Sequence, residues 1–187
     1  MNTEQKSSRL GPYTGKDERI DAAFATIHGR GGEILNLHRT LSHSPGIFRP
    51  AASYAAALRL ESSISAPIRQ LVVLRVCQLN RGFYEWSHHV GVTIKMGVPI
   101  AKIEALGDWS SSDLYSEEER IALGFADRMS ANDGVDETMF QSAITAFGAR
   151  GVMDLSALIG WYIGNTRITN ALGIIPDNPS PEVKFTD

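Results

Sequence analysis

The sequence predicts an all-α chain that forms a single domain of about seven to nine helices. Three observations predict it. Apolar residues recur at three- and four-residue spacing in most segments, no segment sustains the apolar/polar alternation of a half-buried strand, and glycines, prolines and capping residues fall between the periodic stretches. The chain has 187 residues, which fits one domain at roughly 100–200 residues each. Its 43% hydrophobic and 21% charged content is enough to bury a core without covalent staples.

Residues 1–16, with Gly11, Pro12 and Gly15 among lysine and serine, read as an arm without its own core. The helical domain is expected over residues 17–175 and a proline-rich, extended tail over 176–187. The first helix begins at Asp17 and carries Ile20, Ala23, Phe24 and Ile27 on one side, ending at Gly29, Gly31 and Gly32. EILNLHRTLSHSP gives a second helix stopped by Pro45, and FRPAASYAAALRLESS a third with Pro50 in its first turn, where a missing N–H costs nothing. SAPIRQLVVLRVCQLN follows, with Ser65 as N-cap and Pro67 in the first turn. Its Ile68, Leu71, Val72, Val76 and Leu79 form one wide stripe; the valines alone would suit a strand, but the length and the Arg, Gln and Asn punctuation favour helix. Gly82 breaks it. FYEWSHHVGVTIKMG runs to Gly97, Pro99 opens a short helix PIAKIEAL, and GDWSSSDLY reads as a polar link. Ser116 followed by Glu119 is a capping box, and Glu117 and Glu118 favour the positive end of the helix it starts. Asn132, Asp133 and Gly134 form a turn, Asp136 caps DETMFQSAITAFG, and a last long helix covers VMDLSALIGWYIGNTRITNALG.

Composition excludes several classes. The only cysteine, Cys77, rules out an intrachain disulfide and any cysteine-rich zinc site. A net charge of −3 gives no bulk attraction to nucleic acid or anionic lipid. No apolar run approaches the roughly 18 residues of a membrane span, and the polar start lacks a secretory signal. A cytoplasmic protein without nucleic-acid or membrane partners is expected.

The densest group of functional side chains is Asn80-Arg81-Gly82-Phe83-Tyr84-Glu85-Trp86-Ser87-His88-His89. On a helix Glu85 and His89 share a face, and a carboxylate beside an imidazole is an acid/base pair. Glu85-x-x-His88 also copies the repeating unit of di-iron bundles, but a second such unit is missing, and His28, His38 and His43 follow no ligand spacing; no metal is expected. Gly29-Arg30-Gly31-Gly32 lacks both the GxGxxG pattern and a preceding strand and is read as a helix terminator. Cys77 is expected to be buried and inert, and Met153, Trp161 and Tyr162 to be core or subunit contacts.

The segment RQLVVLRVCQLNRGFYEWSHHVGVTIKMGVP resembles the core motif of the carboxymuconolactone decarboxylase family, which includes alkylhydroperoxidase D, and MDLSALIGWYIGNTRITNALGI resembles its closing helix. The resemblance spans roughly residues 20–175 and implies the family's helical fold, a homo-oligomer and a small-molecule pocket without a cofactor. The redox branch carries C-x-x-C-x-x-x-H and an upstream glutamate; here those positions hold Gly82, Glu85, His89 and Gln70, so both thiols are gone. The implied branch includes decarboxylases of lactone acids, and the expected activity is a metal-free, cofactor-free lyase or isomerase step on a small oxygenated carboxylate. Decarboxylation leaves an enolate-like charge. His89, protonated through Glu85, is the expected proton donor, with Glu85 orienting the ring or acting as base. Tyr84 or His88 would bind the oxyanion, and Arg81 the substrate carboxylate, with Arg75 or Arg167 as alternatives. Gln70 and Trp86 would complete the pocket. A non-catalytic small-molecule-binding or structural member fits the same residues, and a peroxidase-type oxidoreductase ranks third.

Overall fold

The computed structural model describes residues 8–11, 13–29, 31–131, 134–177 and 183–185. Pro12, Arg30, Asn132, Asp133 and part of the tail, all used in the reading above, lie outside the described residues. The element order is α1 (Glu18–Gly29), α2 (Asn36–Leu41), α3 (Pro45–Leu60), α4 (Ala66–Leu79), α5 (Phe83–Lys95), α6 (Ile100–Glu104), a 3₁₀ turn (Ala105–Ser111), α7 (Glu117–Ser130) and α8 (Glu137–Leu172). Among the described residues there is no strand.

The centre is α4, which packs against α5, α7 and α8. Rather than presenting one stripe, it is buried on every side: Leu71, Val72, Val73, Leu74, Val76 and Cys77 are each at most 1% exposed, whereas Leu79, placed in the stripe by periodicity, is exposed at the helix end. Each such aliphatic side chain contributes about 1.5–3 kcal/mol. Of the two arginines on this helix, Arg69 donates to backbone carbonyls, among them Arg59 O at 2.9 Å, and Arg75 is neutralised by a two-pronged pair with Asp127 of α7, at 2.6 and 3.0 Å. Ser65 occupies the N-cap of α4 but makes no side-chain capping bond.

Several boundaries differ from the sequence reading for local reasons. Pro45 does not stop a helix but starts α3, occupying a first-turn position that suits it. This leaves Pro50 inside the helix, where it has no N–H to donate to the Gly46 carbonyl one turn earlier. The link GDWSSSDLY is largely the 3₁₀ turn. The capping box holds: Ser116 N–H donates to Glu119 at 2.7 Å, Glu119 N–H donates back to Ser116 Oγ at 3.3 Å, and Lys102 neutralises the same carboxylate at 2.6 Å. Asp136 accepts from Met139 N–H at 2.9 Å.

Helix α8 is broken at Gly148, whose φ of 68° and ψ of 174° are open to glycine alone, so its two parts match the two helices read from the sequence. Among the described residues α8 is the helix whose length and apolarity would suffice to cross a bilayer, but Leu155, Leu158 and Ile159 are buried in the core beside α4 and α7. The terminal segments are tied down as well. Arg9 N–H donates to Leu172 O at 2.8 Å, Val183 is buried, and Phe185 packs edge-on against Trp86 and Phe83.

Candidate functional site

The turn Asn80–Gly82 aims α5 at α8. Arg81 has a φ of 54°, and Asn170 Nδ2 of α8 donates to Arg81 O at 3.0 Å, pinning the turn. One turn later Glu85, 2% exposed, meets a polar stripe on α8. Its Oε1 accepts from Asn165 Nδ2 at 2.9 Å and from the Thr169 hydroxyl at 2.9 Å. The same hydroxyl lies 3.0 Å from Thr166 O and 3.2 Å from Glu85 Oε2. Thr169 has one proton to give. With Glu85 ionised it donates to the carboxylate; with Glu85 protonated it can turn to Thr166 O and accept the acid's proton, so the pocket satisfies both forms. Among the described residues no ion pair compensates this carboxylate, and burial pushes its pKa up from 4.5 to about 7.

His89, the next inward residue on α5, does not pair with Glu85 as the i,i+4 spacing suggested. Its Nδ1 lies 2.8 Å from Gln70 Oε1 of α4 and its Nε2 3.0 Å from the Tyr162 hydroxyl of α8. An amide oxygen only accepts, so with Gln70 oriented this way Nδ1 carries the proton, Nε2 is the acceptor, and Tyr162 donates. Burial, reinforced by the His88 and Arg59 charges, lowers the His89 pKa to about 3. The imidazole is therefore neutral and cannot be the protonated donor expected from the sequence. Glu85 is the group that can hold a proton near neutrality.

The structure brings Glu85, His89 and Gln70 to one buried cluster and engages the other expected residues elsewhere. Tyr84 donates to Asp177 Oδ2 at 3.3 Å and accepts from Leu37 N–H at 3.2 Å, while His88 Nε2 lies 3.4 Å from Asp177. Asp177 also accepts from Asn36 N–H at 2.9 Å, so Tyr84 and His88 fasten the C-terminal segment and α2 to the outer side of α5. They are not oxyanion ligands here. Trp86 is buried under that segment, its Nε1 donating to Val183 O at 3.4 Å. At 2% exposure it supplies no exposed apolar surface. Arg81 is an exposed turn residue, and Arg75 is committed to Asp127.

Tyr162, Asn165, Thr166 and Thr169 were not read as site residues, Tyr162 having been assigned to core or subunit contact. Their spacing of i, i+3, i+4 and i+7, continuing the helix face that buries Leu155, Leu158 and Ile159, is the signal: a buried polar stripe needs a polar partner. Gly82 explains the missing first thiol of the redox pattern. A Cβ there would sit 2.4 Å from the Thr166 methyl and 3.2 Å from Glu85 Oε2, so the cluster leaves no room for a side chain. Cys77 is buried, and burial pushes its thiol well above the ordinary value, with the Glu85 charge adding to it. Among the described residues no three of His, Cys, Asp and Glu are placed to hold a metal ion.

A cleft of about 620 Å³ opens between α1, α2 and α3, lined by His38, Arg49 and Arg59 among others. Neither Glu85 nor His89 lines it.

The profile of the carboxymuconolactone decarboxylase family matches residues 45–128. The uncharacterized protein YnjA of Escherichia coli (strain K12) is 30% identical over 154 residues, 80% of this chain and 84% of that protein. Among solved structures, the alkylhydroperoxidase AhpD core of a peroxidase-related protein from Ralstonia eutropha superposes with a TM-score of 0.77 at 21% identity, over 92% of this chain and 94% of that one. The debrominase Bmp8 in complex with 2,3,4-tribromopyrrole superposes with a TM-score of 0.75 at 19% identity, over 95% and 93%. At these identities the two structures establish a shared fold.

Proposed function

This chain belongs to the carboxymuconolactone decarboxylase family, and from that premise we propose that it is a cofactor-free acid–base enzyme, a decarboxylase or isomerase of a small oxygenated carboxylate such as a lactone acid. The observation that carries the reading is Glu85: a buried carboxyl raised to about 7, held by neutral donors that accommodate both of its protonation states. General acids are poised in this way by desolvation. In decarboxylation the bond between the substrate carbon and its carboxylate breaks, carbon dioxide leaves, and the electron pair enters the conjugated carbonyl system. Glu85 then delivers its proton to the carbanionic carbon and is reprotonated from solvent. Neutral His89, fixed by Gln70 and Tyr162, holds the Tyr162 hydroxyl in place, and in an isomerisation the ionised form of Glu85 is the base.

Thiol peroxidase chemistry is disfavoured, since Gly82 and Glu85 stand at the two thiol positions and Cys77 is sealed in the core. A non-catalytic binder has one observation in its favour, that protein groups already satisfy Glu85 and His89. Turnover of candidate lactone acids by chelated, flavin-free protein separates the readings. The wild type should convert a substrate with one solvent deuterium incorporated, and Glu85→Gln should lose about a hundredfold or more in rate. Equal rates for the two proteins, or a strict need for added metal or redox cofactor, would refute the mechanism. We further propose a homo-oligomer, for which Phe83, Met153 and Ile168 provide exposed apolar surface.

A further inference from the structure

The cleft between α1, α2 and α3 has the chemistry of an anion-binding site. On α3, Arg49, Ala52, Ala56 and Arg59 fall at i, i+3, i+7 and i+10, so one face of the helix lays a small-residue floor between two guanidinium groups, and all four line the cleft. At 1.5 Å per residue the two arginines are about 15 Å apart along the axis, too far to share one small anion. Arg19, also on the wall, is already neutralised by Asp17 through two bonds of 2.9 and 2.6 Å. Among the described residues no hydrogen bond or ion pair engages the guanidinium of Arg49 or of Arg59; Arg59 differs in that its O is held by Arg69 at 2.9 Å, which fixes the backbone from which it extends. His38 borders the cleft as a neutral ring held by the local backbone, its Nδ1 accepting from Leu35 N–H at 3.0 Å. The volume of about 620 Å³ lies within the roughly 300–1,000 Å³ typical of small-molecule sites. Glu33 on the wall disfavours a second negative charge on the ligand.

We infer that this cleft is the recognition site for an organic monoanion, a carboxylate on a slender apolar body, with Arg59 as its counter-charge and the alanine face of α3 as its floor. Neither Glu85 nor His89 lines the cleft. Identifying the anion as the substrate's carboxylate rests on the function proposed above; the binding itself does not.

Benzoate is the probe, with benzyl alcohol as its uncharged counterpart, titrated into the full chain and followed by amide NMR shifts. Benzoate should bind saturably with shifts centred on His38, Ala52, Ala56 and Arg59, and benzyl alcohol far more weakly. Arg59→Gln should weaken benzoate by about tenfold or more, which is the loss of one good charged contact. Arg59→Lys should retain much of the affinity, Arg49→Gln should change it by less than about threefold, and Glu85→Gln should leave it unchanged. No saturable binding, equal affinity in Arg59→Gln, or shifts centred elsewhere would overturn the assignment. If turnover is found and Arg59→Gln leaves KM unaltered, the cleft assignment fails while the acid–base reading stands. If benzoate binds through Arg59 but Glu85→Gln turns over at the wild-type rate, the acid–base reading fails and the cleft assignment stands.

Discussion

Replacing Glu85 with glutamine removes one proton-binding site and leaves nearly the same shape, so the pH dependence of the stability difference between the two proteins isolates that proton. Glu85 has its folded pKa raised from 4.5 to about 7. The folded chain therefore holds a proton that the unfolded chain has released, and the stability it contributes is full below pH 4.5 and lost as pH rises to about 7. Each pH unit over which the two states differ by one proton is worth about 1.4 kcal/mol, so the loss across this window is roughly 3 kcal/mol. His89 acts in the opposite sense. Its pKa falls from 6.5 to about 3, so its contribution is full above 6.5 and lost as pH falls toward 3. Between about 4.5 and 6.5 the two slopes cancel, and wild-type stability from this pair should be flat there. Urea unfolding from pH 4 to pH 8 provides the assay. Glu85→Gln should gain roughly 3 kcal/mol relative to wild type between the two ends, most of it between pH 4.5 and 7, with other titrating groups common to both proteins. A difference that does not change with pH would mean that Glu85 binds its proton equally in the folded and unfolded chains and would refute its role as a buried acid.

Tyr162→Phe removes the donor to His89 Nε2 and leaves a partly buried acceptor unpaired; urea unfolding with an unchanged m-value should show a loss of about 1–3 kcal/mol, and no loss would remove Tyr162 from the cluster. Arg81→Gly relieves a left-handed backbone position, so it should be neutral or stabilising by up to about 1 kcal/mol, with activity intact; a large loss of activity would restore Arg81 as a substrate ligand. Cys77 should resist a thiol reagent in the native protein and react only on unfolding. Cys77→Ser should leave any hydroperoxide consumption unchanged, and robust peroxide turnover lost in that variant would contradict the assignment.

Local rules written in the sequence placed most helices. The Ser116/Glu119 box, the Asp136 cap and the Gly148 break act within one turn of chain, and each appears where the sequence put it. Pro45 and Pro50 show the limit of the same rules: either proline suits a first turn, and only packing of α3 on α1 and α2 decides that the earlier one starts the helix. At the site, spacing brought Glu85 and His89 to one face of α5 but could not supply their partners, which come from other helices: α8 sends Asn165 and Thr169 to Glu85, and α4 and α8 send Gln70 and Tyr162 to His89. Those partners reverse the expected protonation states, because two charged groups in contact would stabilise one another, whereas two separated groups held by neutral partners respond chiefly to burial. Tyr84, His88 and Trp86 belonged to the same dense segment, yet the helical turn points them at the C-terminal segment.

The central claim is that Glu85 is a carboxylic acid near neutral pH in the folded protein. Its side-chain carboxyl carbon, observed by NMR in protein carrying carbon-13 glutamate and assigned by its absence in Glu85→Gln, should titrate with a midpoint of about 7. A midpoint at the ordinary 4.5 would contradict the account, and with it the proposal that this group delivers the proton.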